Sequence, residues 1–179
     1  AKRQGGGALA FFSGELRAEL ECAKQMKRDL HAAITERAVA VHYQPQISLR
    51  NGEITGIEAL VRWTHPQRGI IAPSDFIPVA EKAGLMSRIG RIVLEKAVGD
   101  AAAWHREGIR FGRLAVNVSG TELRENDFAG HLFETLKRAG LPPHKLSLEI
   151  VESVILDDEK TGLAAKLRAI RAAGVHLEL

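Results

Sequence analysis

The clearest pattern in the chain is an alternation of apolar and polar positions up to Trp63. Ile57, Ala59, Val61 and Trp63 point one way, and Glu58, Leu60 and Arg62 the other, which predicts a strand over 53–63. A second alternating run, 39–49, precedes it. Asn51-Gly52 lies between the two runs and is the strongest short-range hairpin signal, so these strands should be antiparallel. Downstream, the pattern changes to helix–strand alternation. Helices are expected over 75–82 (capped by Ser74, ended by Gly84), 88–106, 128–139 (stopped by Gly140 and Pro142-Pro143) and 161–173 (stopped by Gly174). In the second of these, Ile89, Ile92, Val93, Ala97 and Trp104 form the apolar side. Strands are expected over 114–118, 145–151 and from Val175. Upstream, 15–37 reads as one long helix with Ser13 as N-cap. Its stripe of Leu16, Cys22/Ala23 and Leu30, with Leu20 and Ile34 beside it, should pack on the domain that follows.

Repeated helix-then-strand units imply parallel strands joined by right-handed crossovers. Two α/β architectures fit, an open doubly wound sheet and a barrel.

Composition narrows the function classes. A length of 179 residues suits one domain with a sizeable core, and 45% hydrophobic with 26% charged residues is ordinary for a globular protein. A net charge of +3 is compatible with an anionic ligand. No basic run with interleaved aromatics argues for duplex nucleic acid as a partner. One cysteine, Cys22, excludes an internal disulfide framework and fits a reducing compartment. No apolar run approaches the roughly 20 residues of a membrane span, and no signal peptide opens the chain. A cytoplasmic domain is expected, whether or not a longer parent is anchored upstream.

Charged groups on an apolar strand need partners or a metal. Glu58 and Arg62 therefore form either a simple ion pair on a half-exposed face or part of a site. Glu58, Asn117 and Glu149 each lie near the C-terminal end of a different expected strand, and an oxygen-only donor set suits Mg²⁺ or Mn²⁺. Asn117, inside Leu114–Val118, needs partners if buried; a structural amide bonding a neighbouring backbone is the alternative. Glu149 and Glu152 face opposite ways in an extended strand, so both serve one site only if the strand ends between them. The Arg62 guanidinium matches a phosphate oxygen pair. Gln44 is either a donor to the same ligand or a hairpin-edge amide. The seven histidines show no zinc spacing, and nucleophile-elbow, GxGxxG and P-loop patterns are absent. Trp63 and Trp104 read as core.

The motifs Tyr43-Gln44-Pro45, Glu58-Ala59-Leu60-Val61-Arg62-Trp63, His65-Pro66 and Asp75-Phe76-Ile77-Pro78-Val79-Ala80-Glu81 closely resemble the EAL domain family of cyclic di-GMP phosphodiesterases. Val116–Ser119, Leu148–Ser153 and Gly174–Leu179 continue the resemblance, which runs from about Asp29 to the last residue. It implies a TIM-type (β/α) barrel with one antiparallel strand. Such barrels take about 250 residues, so the later strands are absent from this chain and the barrel is incomplete. By resemblance, Glu58, Asn117 and Glu149 coordinate Mg²⁺ or Mn²⁺, Glu58 being also catalytic. Glu152 helps hold a catalytic loop, and Gln44, Leu60 and Arg62 bind the dinucleotide. The implied reaction is two-metal hydrolysis of cyclic di-GMP to linear pGpG, in a parent that is homodimeric through this domain. Val151 departs from the family's usual threonine, and the family's paired aspartates would follow Leu179. The 179-residue chain by itself is therefore expected to be inactive and not a stable monomer. A catalytically inactive cyclic di-GMP-binding regulatory module is the alternative, and a dimerising segment built on the long helix is a third reading. Residues 1–13 resemble the closing hairpin of a GGDEF domain, the diguanylate cyclase module. The expected division is thus 1–13 remnant, 14–37 linker helix and 38–179 partial EAL domain.

Overall fold

The computed structural model describes residues 14–151 and 162–178. Helix α1 (Gly14–Thr35) leads into strands β1 (Val39–Ile47), β2 (Ile54–His65) and β3 (Gly69–Ile71). Then come α2 (Pro73–Ala83), α3 (Met86–Arg106), β4 (Arg113–Val118), α4 (Gly120–Arg124) and α5 (Phe128–Ala139). A short 3₁₀ turn, Pro143–Lys145, enters β5 (Leu146–Ile150), followed by α6 (Leu163–Ala172) and β6 (His176–Glu178). The sheet order is β1-β2-β4-β5-β6, with β3 added to β2. β1 runs antiparallel to β2, whereas β2, β4, β5 and β6 are mutually parallel. This is the α/β arrangement expected, with β1 reversed, and it covers part of a barrel; the three-residue β3 is a second antiparallel strand that was not expected.

Period-two alternation decides which face is buried. Ala59 and Trp63 of β2, Leu114, Val116 and Val118 of β4, and Leu146, Leu148 and Ile150 of β5 all pack under the helices. Helix α3 covers them with Ile89, Val93, Leu94, Ala97 and Val98, and α5 with Phe128, Leu132 and Leu136. Trp63 packs edge-on against Phe76 of α2, and Tyr43 edge-on against Trp104. Each fully buried Val, Leu, Ile or Phe among these contributes about 1.5–3 kcal/mol. The opposite face of the same strands carries the polar positions and stays half open.

Several expectations need correcting. Ser74 does not cap α2; Ala72 occupies that place without a side-chain bond, and Pro73 opens the helix with its fixed φ. Ser74 instead hydrogen-bonds Asp75. Helix α1 stops at Thr35, two residues early, because Arg37 turns to a φ of 55°. Among the described side chains of α1, Leu30, Ala33 and Ile34 pack on the domain, while Leu20, Cys22 and Ala23 are exposed. Strand β3 and helix α4 were not anticipated. The latter has a legible signal, a capping box of Ser119 and Glu122. Ser13, the GGDEF-like stretch and Glu152 lie outside the described residues.

Candidate functional site

The polar face of the sheet is assembled by register. Gln44 of β1 pairs with Glu58 of β2, Glu58 with Ala115 of β4, Asn117 of β4 with Glu149 of β5, and Glu149 with Glu178 of β6. Successive strands therefore bring Glu58, Asn117, Glu149 and Glu178 to one concave surface. Glu58 is not at the end of β2, as expected, but at the end of its parallel pairing; beyond Ala59 the strand continues between β1 and β3.

The Asn117 Nδ2 donates to Glu58 Oε1 at 2.9 Å, across 59 residues of sequence. Asn117 is exposed rather than buried, and its partner is a carboxylate rather than the neighbouring backbone. The simple ion pair between Glu58 and Arg62 is not formed; Arg62 Nη1 donates to the Val61 carbonyl at 2.9 Å. Burial pushes the Glu149 carboxyl above the usual range, and the charges of Glu58 and Glu178 push it further. The Gln46 side-chain amide opposes this by hydrogen bonding.

Two recesses open at this surface. A groove of about 460 Å³ is lined by Leu60, Arg62, Asn117 and Glu149, with α2 contributing Pro73, Ile77 and Glu81. A second recess of about 220 Å³ lies among Asn117, Glu149, Ile150, Val151 and Glu178. Gln44 is exposed beside Glu58 and does not line the groove. Among the described residues, no three His, Cys, Asp or Glu side chains converge closely enough to hold a metal. The expected set has two carboxylates and one amide. Its donors are all oxygen, as hard cations require, and the negative charge crowding Glu149 is what a cation would relieve.

Sequence reasoning missed two residues of this face. Glu178 accepts from Ser147 Oγ at 2.7 Å and lies 3.9 Å from Arg113. Its signal was available: Val175 and Leu177 alternate with His176 and Glu178, as in β2. Gln46 carries no such signal, since its role depends on what lies opposite.

The model of the EAL domain family matches residues 27–179. A signalling protein of Caulobacter vibrioides is 41% identical over 100% of this chain, which covers 22% of that protein. MucR of Pseudomonas aeruginosa, a bifunctional diguanylate cyclase/cyclic di-GMP phosphodiesterase, is 35% identical over 100% of the chain, and 26% of that protein is covered. The chain thus spans about a quarter of the length of the curated relatives it matches. The structure of the MucR phosphodiesterase in complex with cyclic di-GMP superposes with a TM-score of 0.80 at 36% identity, covering 86% of this chain and 62% of that one. Family model, sequence relatives and fold agree, and the chain belongs to the EAL domain family.

Proposed function

We propose that this chain forms part of a site that hydrolyses cyclic di-GMP to linear pGpG. The observation that carries the reading is the Glu58–Asn117 hydrogen bond beside Glu149, at the mouth of a groove that Leu60 and Arg62 line. Glu58, Asn117 and Glu149 would hold Mg²⁺ or Mn²⁺. When bound, such ions generate a nucleophile from water and stabilise charge on the phosphate oxygens. The chain's own contribution is to bind and orient. The Arg62 guanidinium is suited to bidentate recognition of a phosphate, Leu60 offers apolar surface to the nucleotide, and Gln44 is assigned a donor role at the groove's edge. Glu152 is assigned the loop-holding role. The Asn117 amide keeps one carboxylate oxygen of Glu58 oriented before any ligand arrives.

The test is turnover of cyclic di-GMP by the full-length protein that carries this chain. Glu58→Ala and Asn117→Ala should each abolish Mg²⁺- or Mn²⁺-dependent hydrolysis while leaving the melting temperature close to wild type. Near wild-type rates in either variant would sink the assignment. The second reading, a non-catalytic cyclic di-GMP receptor, is favoured by Val151, a hydrocarbon side chain lining the recess beside Glu149. Binding without turnover in the wild-type protein would decide for it.

The same reading takes residues 1–13 as a GGDEF-like remnant, 14–37 as a linker helix and 38–179 as partial EAL domain. It places the parent protein in the cytoplasm or on its membrane face, as a homodimer through this domain. No helix among the described residues is long and apolar enough to cross a membrane.

A further inference from the structure

Strand β4 delivers Asn117 at the point where the sheet lets the strand go. Its ladder with β2 ends at Val116, one residue before Asn117, and its ladder with β5 ends at Val118. Beyond that point the chain is held by a side chain. Ser119 donates from its backbone N–H to Glu122 Oε2 at 3.0 Å and from its Oγ to the same oxygen at 2.5 Å. The Glu122 N–H donates back to Ser119 Oγ at 3.4 Å. The Glu122 carboxyl group rests in turn on the bare backbone of α3, since a Cβ at Gly90 would collide with its carbon and both its oxygens. Helix α4 is anchored in this seat. Arg91 of α3 pairs with Glu125 at 3.2 Å and Asp127 at 2.6 Å, and Lys166 of α6 donates to the Leu123 and Glu125 carbonyls. Gly90, Asn117, Ser119 and Glu122 all border the larger groove.

We propose that Glu122, seated on Gly90, is a positioning residue that fixes the exit of β4 and so holds the Asn117 amide where it meets Glu58 and a metal ion. This rests on the reading of Asn117 as a metal ligand. Glu122 acts through Ser119 and Asn117, as residues behind a metal's own ligands do. With the carboxylate removed, the Ser119 N–H loses its acceptor, and the stretch that carries Asn117 keeps its sheet pairing on the β5 side alone.

The experiment is a calorimetric titration of Mn²⁺ into the full-length protein without nucleotide, run well below the metal-free melting temperature of each variant, so that a merely less stable fold does not lower the affinity. Glu122→Ala should weaken Mn²⁺ binding about 10–100-fold. Glu122→Gln keeps an oxygen that can accept both Ser119 bonds, so its affinity should stay close to wild type, a rescue that a role in geometry requires. Equal losses in the two variants would assign the effect to charge and overturn the proposal, as would wild-type affinity in Glu122→Ala. Should Glu122→Ala fail to fold, Ser119→Ala carries the test. It leaves the carboxylate on Gly90, removes only the hydroxyl, and should weaken binding about 2–10-fold, the effect of one hydrogen bond; wild-type affinity there overturns the proposal. Asn117→Ala distinguishes the two levels of failure. Lost affinity there beside normal Glu122→Ala overturns only the positioning role. Normal affinity in Asn117→Ala overturns the reading of the site, and the positioning role with it.

Discussion

Glu58 and Arg62 share one face of β2 yet take different partners. Glu58 accepts from Asn117, so its orientation is set by another strand. Among the described residues, Arg62 is tied only to the carbonyl of its neighbour Val61, through one of its five N–H donors. Most of the guanidinium is therefore free to meet a ligand in the groove. Lysine would keep the charge but lose the planar fork. Arg62→Lys should weaken cyclic di-GMP binding roughly tenfold, the loss of about one charge-assisted hydrogen bond. Metal affinity should stay close to wild type. Calorimetry with Ca²⁺-loaded protein, where turnover should be slow, measures both, and unchanged nucleotide affinity would remove Arg62 from the phosphate site.

Among the described side chains of α1, those of its C-terminal half join the domain. Leu30, Ala33 and Ile34 are buried, and Asp29 pairs with the Nε2 of His65 at 3.3 Å. His65 Nδ1 accepts from the backbone N–H groups of Gln67 and Arg68, which places the proton of the neutral ring on Nε2, toward Asp29. The end of β2 and the turn into β3 are thus coupled to α1 through one imidazole. Leu30 is 0% exposed, so truncation leaves a cavity at the centre of this contact. Leu30→Ala should destabilise the domain by about 2–5 kcal/mol. Denaturant unfolding reports the total. Hydrogen exchange in residues 26–35 should rise before exchange in β4, and equal protection in the two would show that α1 is not a separately docked element.

At the scale of the whole molecule, one buried acid sits where helix α3 passes over α4. Glu122 of α4 is 6% exposed and accepts from the backbone N–H and hydroxyl of Ser119. Helix α3 passes so close that a Cβ at Gly90 would lie 1.6 Å from Glu122 Oε1. Burial raises the Glu122 carboxyl above its ordinary value, against the lowering effect of the Ser119 bonds. A raised folded-state value means that the fold binds this proton more tightly than the unfolded chain. The stabilisation is complete below the unfolded value, near 4.3, and is lost as pH rises through the folded value. Glu122→Gln keeps an acceptor for the Ser119 N–H and cannot titrate. Wild type should therefore gain stability relative to this variant as pH falls from about 7 to about 4. A constant difference across that range, in paired denaturant melts, would refute the assignment.

What the sequence determined by itself was local. Period-two and period-3.6 patterns located β1, β2, β4, β5, α3 and α5, because burying one face is dictated by neighbours a few residues away. Gly84 and Gly140 ended their helices in the left-handed conformation, as expected. The chemical types of Glu58, Asn117 and Glu149 were also legible, since carboxylates and an amide stand out on apolar strands. Three residues of β3 and five of α4 are too short to show a period. Only the tertiary structure decided which of these groups meet. Whether Asn117 bonds Glu58 and whether Glu178 crowds Glu149 both depend on strand order and register. A shift of one residue in either would turn those side chains to the opposite face.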